Sequence, residues 1–369
     1  MLDVVRWGPD LRRARLAVAL LAALLLVGAG CGGGEEQGQQ TLRVRVAHTS
    51  TLDPGGLSAQ VGPLEFGKEF GLDISQDDIK YFAGHPLAMQ VLLSGRADVV
   101  GGSFVSDLQL IERGVPLRVF CPSSTGFASR IVGTGNITEL QQITDPDTRV
   151  AIESPGGPVN FFMDLVLRAK GIDITTLKLP NVSVIEDAPL REAALANGDV
   201  DVALIDAYQV PLLEKAIGAK NVHILSDVMK DAGSGGIFLA FAATKKWLDD
   251  NQKSAAAFCA SILKSNRELA GDFAKYQETA NKYIKPKVDE PTLRSTWEEA
   301  RQYQLWPYNE DLAQDGVNLV VQTAVDTGLL KTKLRYEDIV DTRPMERALE
   351  LLGGPVDPDT ITASLGADD

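Results

Sequence analysis

Several turns of this chain combine hydroxyl side chains with glycines directly after short apolar segments. Two of them read "HTSTLDPGG" at 48–56 and "SPGGPVN" at 154–160. Hydroxyl groups donate hydrogen bonds, and glycines let a ligand approach the backbone closely. A helix that begins near Pro158 would also direct free N–H groups at the same place. These groups predict recognition of a small molecule, and we favour an organic anion.

The candidate ligand-binding residues share one position, the carboxyl end of a predicted strand, where open α/β sheets bind ligands. They are Thr49, Ser50, Thr51, Gly84, His85, Gly102, Ser103, Ser124, Thr125, Ser154, Gly156, Gly157, Asp206 and Tyr208. Taken singly, each hydroxyl is equally typical of a turn or a helix cap. Tyr208 is expected either to cover the ligand or to pack in the core.

Motifs of enzyme chemistry are missing from the sequence. It contains no paired-histidine metalloprotease helix, no phosphate loop, no dinucleotide fingerprint and no serine elbow. The three histidines are His48 and His85, both beside predicted strand ends, and His223 within a predicted strand. We therefore expect a binding protein that uses no cofactor and no metal, and not an enzyme.

The N-terminal segment has the pattern of a secretory signal. Four arginines precede an apolar run at 16–27, and Cys31 follows a run of small residues. We predict a signal peptide at 1–30, a lipid on Cys31 and a flexible linker at 31–40, which would anchor the protein to the outer side of the cell membrane. A plain signal peptide with an incidental Cys31 is the alternative, because Gly28 replaces the leucine that is usual in the lipobox, the lipidation motif of bacterial lipoproteins.

Composition limits the remaining functions. The formal net charge of −14 makes nucleic acid an unsuitable partner, since phosphate binding needs clustered lysine and arginine. The chain is long enough, and with 44% hydrophobic residues apolar enough, for two domains. Cys121 and Cys259 allow either a disulfide or two buried thiols, and we expect thiols.

Strand and helix patterns alternate twice along the chain, which predicts α/β lobes with mixed, mostly parallel sheets. The phrases "VLLSGRADVV" at 91–100 and "AALANGDVDV" at 193–202 match, with Asp98 and Asp201 at the same place after a glycine. Helical periodicity dominates after Lys245. We expect lobe 1 to comprise 41–129 and 238–369, and lobe 2 to comprise 130–237.

Together these features resemble the solute-binding proteins of ABC importers for nitrate, sulfonates, taurine and thiamine pyrimidine precursors, in a lipoprotein form. The resemblance rests on "VRVAH", "LLSGRADVVGGSF", "RVAIESPGGPVNFFMDLVLRAKGID", "ALANGDVDVALIDAY" and "GLLKTKLRYEDIVD". It implies the two-lobed type II periplasmic-binding-protein fold with a helical C-terminal extension. It also implies an ABC permease and its ATPase as partners of a monomer that closes around its ligand.

The resemblance leaves the ligand open. A sulfonate-like organic anion suits the hydroxyls and amides, whereas a flat heteroaromatic ring of the thiamine-pyrimidine type suits Phe82, Phe104, Phe127 and Tyr208. An enzyme of thiamine-pyrimidine synthesis on the same fold, a receptor sensing domain and a structural surface lipoprotein are further alternatives. The scarcity of histidine argues against the enzyme.

Overall fold

A computed structural model describes residues 41–126, 128–153, 157–172, 181–232, 237–309 and 312–362. The predicted signal peptide, the predicted lipid attachment at Cys31 and the predicted linker lie outside the described residues. Within the described ranges the chain forms two five-stranded sheets with helices packed around them.

The elements follow in chain order. The strands are β1 Val46–His48, β2 Ile79–Tyr81, β3 Val99–Ser103, β4 Leu117–Ser124, β5 Ser129–Thr134, β6 Val150–Ile152, β7 Val182–Val184, β8 Val202–Asp206, β9 Val222–Asp227 and β10 Leu239–Thr244. The helices are α1 Leu57–Phe66, α2 His85–Leu93, α3 Phe104–Glu112, α4 Pro158–Ala169, α5 Ala188–Asn197, α6 Val210–Ile217, α7 Val228–Ala232, α8 Lys245–Asp250, α9 Gln252–Gly271, α10 Phe273–Tyr283, α11 Glu290–Gln302, α12 Gln314–Asp326, α13 Tyr336–Ile339, α14 Arg343–Leu351 and α15 Pro358–Thr362. Short 3-10 helices cover Gly67–Phe70, Gln76–Asp78, Leu140–Thr144, Ala207–Gln209 and Ala219–Asn221.

The two sheets have the same design. The first has the order β2-β1-β3-β10-β4, and the second has the order β7-β6-β8-β5-β9. In each sheet one strand, β10 or β5, is antiparallel to both of its neighbours, while the other described pairs are parallel. Four strands of each sheet therefore point the same way, which confirms the prediction of mixed, mostly parallel sheets.

The repeated aspartates have a structural role. The Asp98 carboxylate accepts the backbone N–H of Arg45 at 2.8 Å and both Nε and Nη2 of its guanidinium, at 2.9 and 2.7 Å. Asp201 accepts the same three groups of Arg149, at 2.8, 3.0 and 2.6 Å. Each pair joins the start of one central parallel strand to the start of its neighbour, because a carboxylate fits the fork of a guanidinium.

The first strand differs from its prediction. In the sequence, Leu42, Val44 and Val46 alternate with polar residues, which predicts a half-buried strand, but β1 covers Val46–His48 and all three of its residues are buried. The strand lies between β2 and β3. A central parallel strand is covered on both faces, so alternation along it carries no information.

The C-terminal helices pack on the first sheet. The 20-residue helix α9 contacts α1 and α14, and its buried residues join the core of β1, β3, β4 and β10. This arrangement confirms the helical C-terminal extension. No helix in the described part of the chain is both long enough and apolar enough to cross a bilayer.

The two internal cysteines form a disulfide, so the expectation of free thiols is wrong. Cys121 in β4 and Cys259 in α9 have Cα atoms 5.7 Å apart, and both are fully buried. Sequence alone did not show that β4 and α9 are neighbours. Because α9 packs directly against β4, the two side chains meet at bonding distance.

Candidate functional site

A cavity of about 340 Å³ lies where the carboxyl ends of the parallel strands of both sheets meet. The antiparallel strands β5 and β10 begin at the same edge, so residues near both starts also contribute. Its wall consists of Thr49, Ser50, Thr51, Asp53, Gly55, Gly56, Gln60, Tyr81, Phe82, Ala83, Gly84, His85, Ser103, Ser123, Ser124, Gly126, Ala128, Glu153, Pro158, Val159, Glu186, Asp187, Ala188, Pro189, Arg191, Asp206, Ala207, Tyr208, Phe238, Leu239, Thr296, Glu299, Ala300 and Leu305.

The structure brings most of the predicted ligand-binding residues to this wall. Those on it are Thr49, Ser50, Thr51, Gly84, His85, Ser103, Ser124, Asp206 and Tyr208. Gly102, Thr125 and Gly157 are not among the lining residues. Ser154 and Gly156 lie outside the described residues. Of the aromatic candidates, Phe82 and Tyr208 line the cavity, Phe104 is fully buried in the core, and Phe127 is not described.

Local contacts explain why Gly102 and Thr125 are elsewhere. A Cβ atom on Gly102 would lie 2.5 Å from the Thr49 side chain, so this glycine is needed for packing. The Thr125 hydroxyl donates to the carbonyl oxygen of Gln304 at 2.6 Å. The Ser103 hydroxyl, although on the wall, accepts the N–H of Ser106 as a cap of α3. Several hydroxyls thus perform the turn and cap roles open to such residues.

The wall is acidic, which the sequence analysis did not foresee. Among the residues that the structure describes, the wall's carboxyl groups belong to Asp53, Glu153, Glu186, Asp187, Asp206 and Glu299, whereas its one arginine is Arg191. Arg191 is 2% exposed, and its Nε and Nη1 donate to the backbone carbonyl oxygens of Leu204, Ile185 and Glu186. Those bonds hold the guanidinium in the wall as a support for the backbone.

Two carboxyl groups on opposite sides of the cavity influence each other. Asp53 follows β1, and Asp206 ends β8. Burial raises the pKa of Asp206 to about 7, and the charge of Asp53 contributes to that shift while the charge of Arg191 opposes it. Burial also raises the pKa of Asp53, against hydrogen bonds from the backbone of Gly56 and Gly55. Near neutral pH a proton is therefore easily gained or lost here.

His85 has a buried acidic neighbour. Its Nε2 lies 3.2 Å from Oδ1 of Asp107, a residue of α3 that is fully buried. Burial raises the pKa of the Asp107 carboxyl, and the contact with His85 opposes this. The contact places the imidazole beside a buried carboxyl group at the cavity wall.

His48 contributes indirectly. Its ring stacks on Tyr81, with ring centroids 5.4 Å apart, and is not among the lining groups. Burial lowers the pKa of His48 to about 4, so the ring is neutral at physiological pH. It supports the aromatic part of the wall through Tyr81.

The C-terminal extension adds to the wall through α11. Glu299 of this helix accepts a hydrogen bond from Arg130 of β5 at 2.5 Å. The same guanidinium lies 3.4 Å from Asp227 of β9, which also accepts the hydroxyl of Tyr303 at 3.1 Å. The extension, which packs on the first sheet, is thus tied to the second sheet as well.

The two sides of the cavity approach each other closely at Gly84. This residue has φ 89°, and a Cβ atom on it would lie 2.8 Å from Oε2 of Glu186. Glu186 precedes α5 beside the second sheet, whereas Gly84 precedes α2 beside the first. Glycine therefore meets two requirements here, the positive φ and the closeness of the opposite carboxylate.

Sequence reasoning missed many of the wall residues, and two kinds of them show why. Asp53 and Glu153 stand in turns that the sequence singled out, but there the hydroxyls and glycines drew the attention. Gln60 and Thr296 lie in helices, and neither shows a pattern that separates it from a packing residue. Their place on the wall follows from tertiary structure alone.

Comparison with known proteins establishes the fold. No protein-family model matches the sequence, and none of the curated proteins matches it either. The aliphatic sulphonate binding protein of Escherichia coli is similar in structure, with TM-score 0.59, 16% identity, and coverage of 81% of this chain and 92% of that one. The periplasmic nitrate-binding protein of Synechocystis PCC 6803 is similar with TM-score 0.63 and 13% identity, and the match covers 89% of this chain and 99% of that one.

A third similar structure comes from Candida albicans. It belongs to a family of proteins exhibiting the generic periplasmic binding protein fold. The TM-score is 0.58 at 12% identity, and the match covers 86% of this chain and 96% of that one. At these identities the likeness concerns architecture. The chain has the two-lobed periplasmic-binding-protein fold, with its cavity where the strand ends of the two sheets meet.

Proposed function

We propose that this protein is the extracytoplasmic solute-binding component of an ABC importer. The lobes would be 41–129 with 238–369, and 130–237, closing on a small organic molecule in the cavity between them. An ABC permease and its ATPase would accept the loaded form, and a lipid on Cys31 would hold the protein at the membrane.

The observation that supports this proposal most is the cavity itself. Both sheets contribute the carboxyl ends of their strands to one wall, so a ligand held there touches both sides. Contacts that exist only when both sides are engaged favour the closed form by the difference in affinity between the two states. The similar structures named for sulphonate and nitrate binding support the same role.

The charges of the wall bear on the ligand class. Six carboxyl groups and one carbonyl-bonded arginine are unfavourable surroundings for a free sulfonate or carboxylate. Tyr81, Phe82, Tyr208 and Phe238 offer aromatic surfaces to a flat ring. These features support the heteroaromatic class over the organic anion that the hydroxyl-rich turns had suggested.

A thermal-shift screen tests the binding role. The purified chain is heated with sulfonates, nitrate, carboxylates and amino-pyrimidines, each in turn, because a compound that binds only the native state raises the melting temperature. We expect at least one amino-pyrimidine to do so. X-ray scattering should then show a smaller radius of gyration in its presence.

Gly84→Ala tests closure, with Gly95→Ala as its matched control. Both glycines have positive φ, at 89° and 71°, so Gly95→Ala controls for a side chain at positive φ, while the ψ of 163° at Gly84 adds further backbone strain there. A Cβ on Gly95 meets no atom within 4 Å, whereas a Cβ on Gly84 meets Glu186. We expect Gly84→Ala, but not Gly95→Ala, to lower the affinity for the compound found in the screen, by about tenfold. Equal affinities for the two variants would contradict closure at this contact.

A further inference from the structure

The cavity holds hydrogen-bond acceptors that have no donor. Oδ1 of Asp206 and Oε1 of Gln60 are buried, and no group of the described protein donates to either. Gln60 is 6% exposed and lies in the first turn of α1. A buried acceptor without a hydrogen bond destabilises the protein, so a ligand that supplies a donor removes that penalty.

A second carboxylate faces the same space. Asp53 accepts the N–H of Gly56 at 2.9 Å through Oδ1, which leaves further lone pairs available. Its charge acts on Asp206, on Tyr81 and on Tyr208, which places it among these groups. The Nε2 atom of Gln60 would lie 2.7 Å from a Cβ on Gly56, so Gln60 lies beside the loop of Asp53.

We infer that Asp53 and Asp206, with the side-chain carbonyl of Gln60, form a subsite for a protonated nitrogen group of the ligand, such as an ammonium, an amidinium or a protonated amino-heteroaromatic ring. The inference rests on the proposed solute-binding function and specifies its substrate class. The two carboxylates come from opposite sheets, so one cation held by both joins the two sides of the cavity.

The other charges around the subsite fit this assignment. The groups that act on Asp206 are Asp53, Asp187, Tyr208 and Arg191, of which only Arg191 is a cation. Its Nε and Nη1 donate to backbone carbonyls. The aromatic rings of Tyr81 and Tyr208 on the wall suit a flat cation, since ring faces attract positive charge.

Affinity for a cation should depend on pH. A cation prefers the ionised carboxylate, and burial raises the pKa of Asp206 to about 7. Binding should therefore tighten by about tenfold from pH 6 to pH 8, because the Asp206 carboxyl is mostly protonated at pH 6 and mostly ionised at pH 8.

Three probes of nearly the same shape test the subsite in titration calorimetry: benzamidine, which is a cation, benzamide, which is neutral, and benzenesulfonate, which is an anion. We expect benzamidine to bind at least about tenfold more tightly than benzamide, and benzenesulfonate to bind most weakly.

Asp53→Asn and Asp206→Asn should each lower the benzamidine affinity by about tenfold or more, and Asp206→Asn should also abolish its pH dependence. Asp77→Asn removes the same charge from an exposed residue of the 3-10 helix Gln76–Asp78, which precedes the start of β2 and does not line the cavity, and it should change nothing. Thermal melting of each variant checks that it is folded.

The outcomes separate this inference from the proposed function. Tighter binding of benzenesulfonate, or unchanged benzamidine affinity in both aspartate variants, overturns the cation subsite and leaves a solute-binding protein for another class. The same holds if none of the three probes binds but the thermal-shift screen finds a ligand without a basic nitrogen. If that screen finds no ligand at all, the proposed function fails and this inference fails with it.

Discussion

The two sheets share a frame and differ in how they are reinforced. Strand order, pairing directions and the arginine–aspartate pairs correspond, Arg45 with Asp98 and Arg149 with Asp201. The helices α2 and α5 correspond as well, each with a proline in its first turn. The disulfide and the packed helix α9, in contrast, belong to the first sheet. The repeat therefore provides geometry at the strand ends, and the additions provide stability on one side.

Among the changes that test this comparison of the two sheets, removal of the disulfide should have the largest effect on the free energy of unfolding. Cys121→Ala with Cys259→Ala is expected to lower the free energy of unfolding by about 2–5 kcal/mol, because the bond closes a loop of 138 residues. Urea unfolding of the variant and the parent measures the difference. A melting temperature unaffected by reduction would show that the bond adds no stability.

An effect of intermediate size is expected on the pH dependence of stability, through Asp206 in the cavity. Burial raises the pKa of Asp206 to about 7, so the folded protein keeps a proton that the unfolded chain loses near pH 4. That stability is present at low pH and is lost as the pH rises through 7. Asp206→Asn should thus be more stable than the parent at pH 8, by about 1–2 kcal/mol, and equal to it near pH 4.

Urea unfolding at pH 5.5 and pH 8 measures this effect. Asp77→Asn serves as the control for the loss of one negative charge, since Asp77 is exposed. If Asp206→Asn and the parent lose the same stability between the two pH values, another group carries the pH dependence.

Two matched substitutions test whether the arginine–aspartate pairs stabilise the two sheets equally. Asp98→Ala and Asp201→Ala each remove three hydrogen bonds to one arginine. Because both arginines are about half exposed, solvent screens the charge pair, and we expect a loss of about 1 kcal/mol for each. Chemical denaturation of both variants compares them directly. Unequal losses would mean that the two sheets use the same motif differently.

The link between α11 and the second sheet should give the smallest effect. Tyr303→Phe removes the hydrogen bond to Asp227 and leaves the ring in place. We expect a loss of about 0.5–1 kcal/mol in thermal unfolding. The Arg130–Glu299 contact remains as the second tie, so ligand affinity should not change. A clear loss of affinity would show that this hydroxyl helps to position α11 at the cavity.

Much of the frame could be predicted from the sequence, because local patterns specify it. The alternation of strands and helices, the helical tail and the repeated Asp98 and Asp201 are all visible in short stretches. The pairing of β10 with β3 and β4 joins residues far apart in the chain, and no local signal encodes it. The disulfide depends on the same long-range packing.

The site could be predicted only in outline. The turns after strands are recognisable, and their residues meet at one cavity. The direction of a side chain within a turn is not readable from residue type, so Ser103 caps a helix while Asp53 faces the cavity. The charge of the wall therefore emerged only from the structure.

The bond between Cys121 and Cys259 has a further consequence, because strands β5 to β10 all lie between the two cysteines in the chain. A protease that nicks the backbone once anywhere in that interval would release no fragment, and the protein would still migrate as a single covalent species until a reducing agent separates the pieces. Outside a cell, where peptidases act and thiols are oxidised, such a nicked molecule could keep both sheets joined.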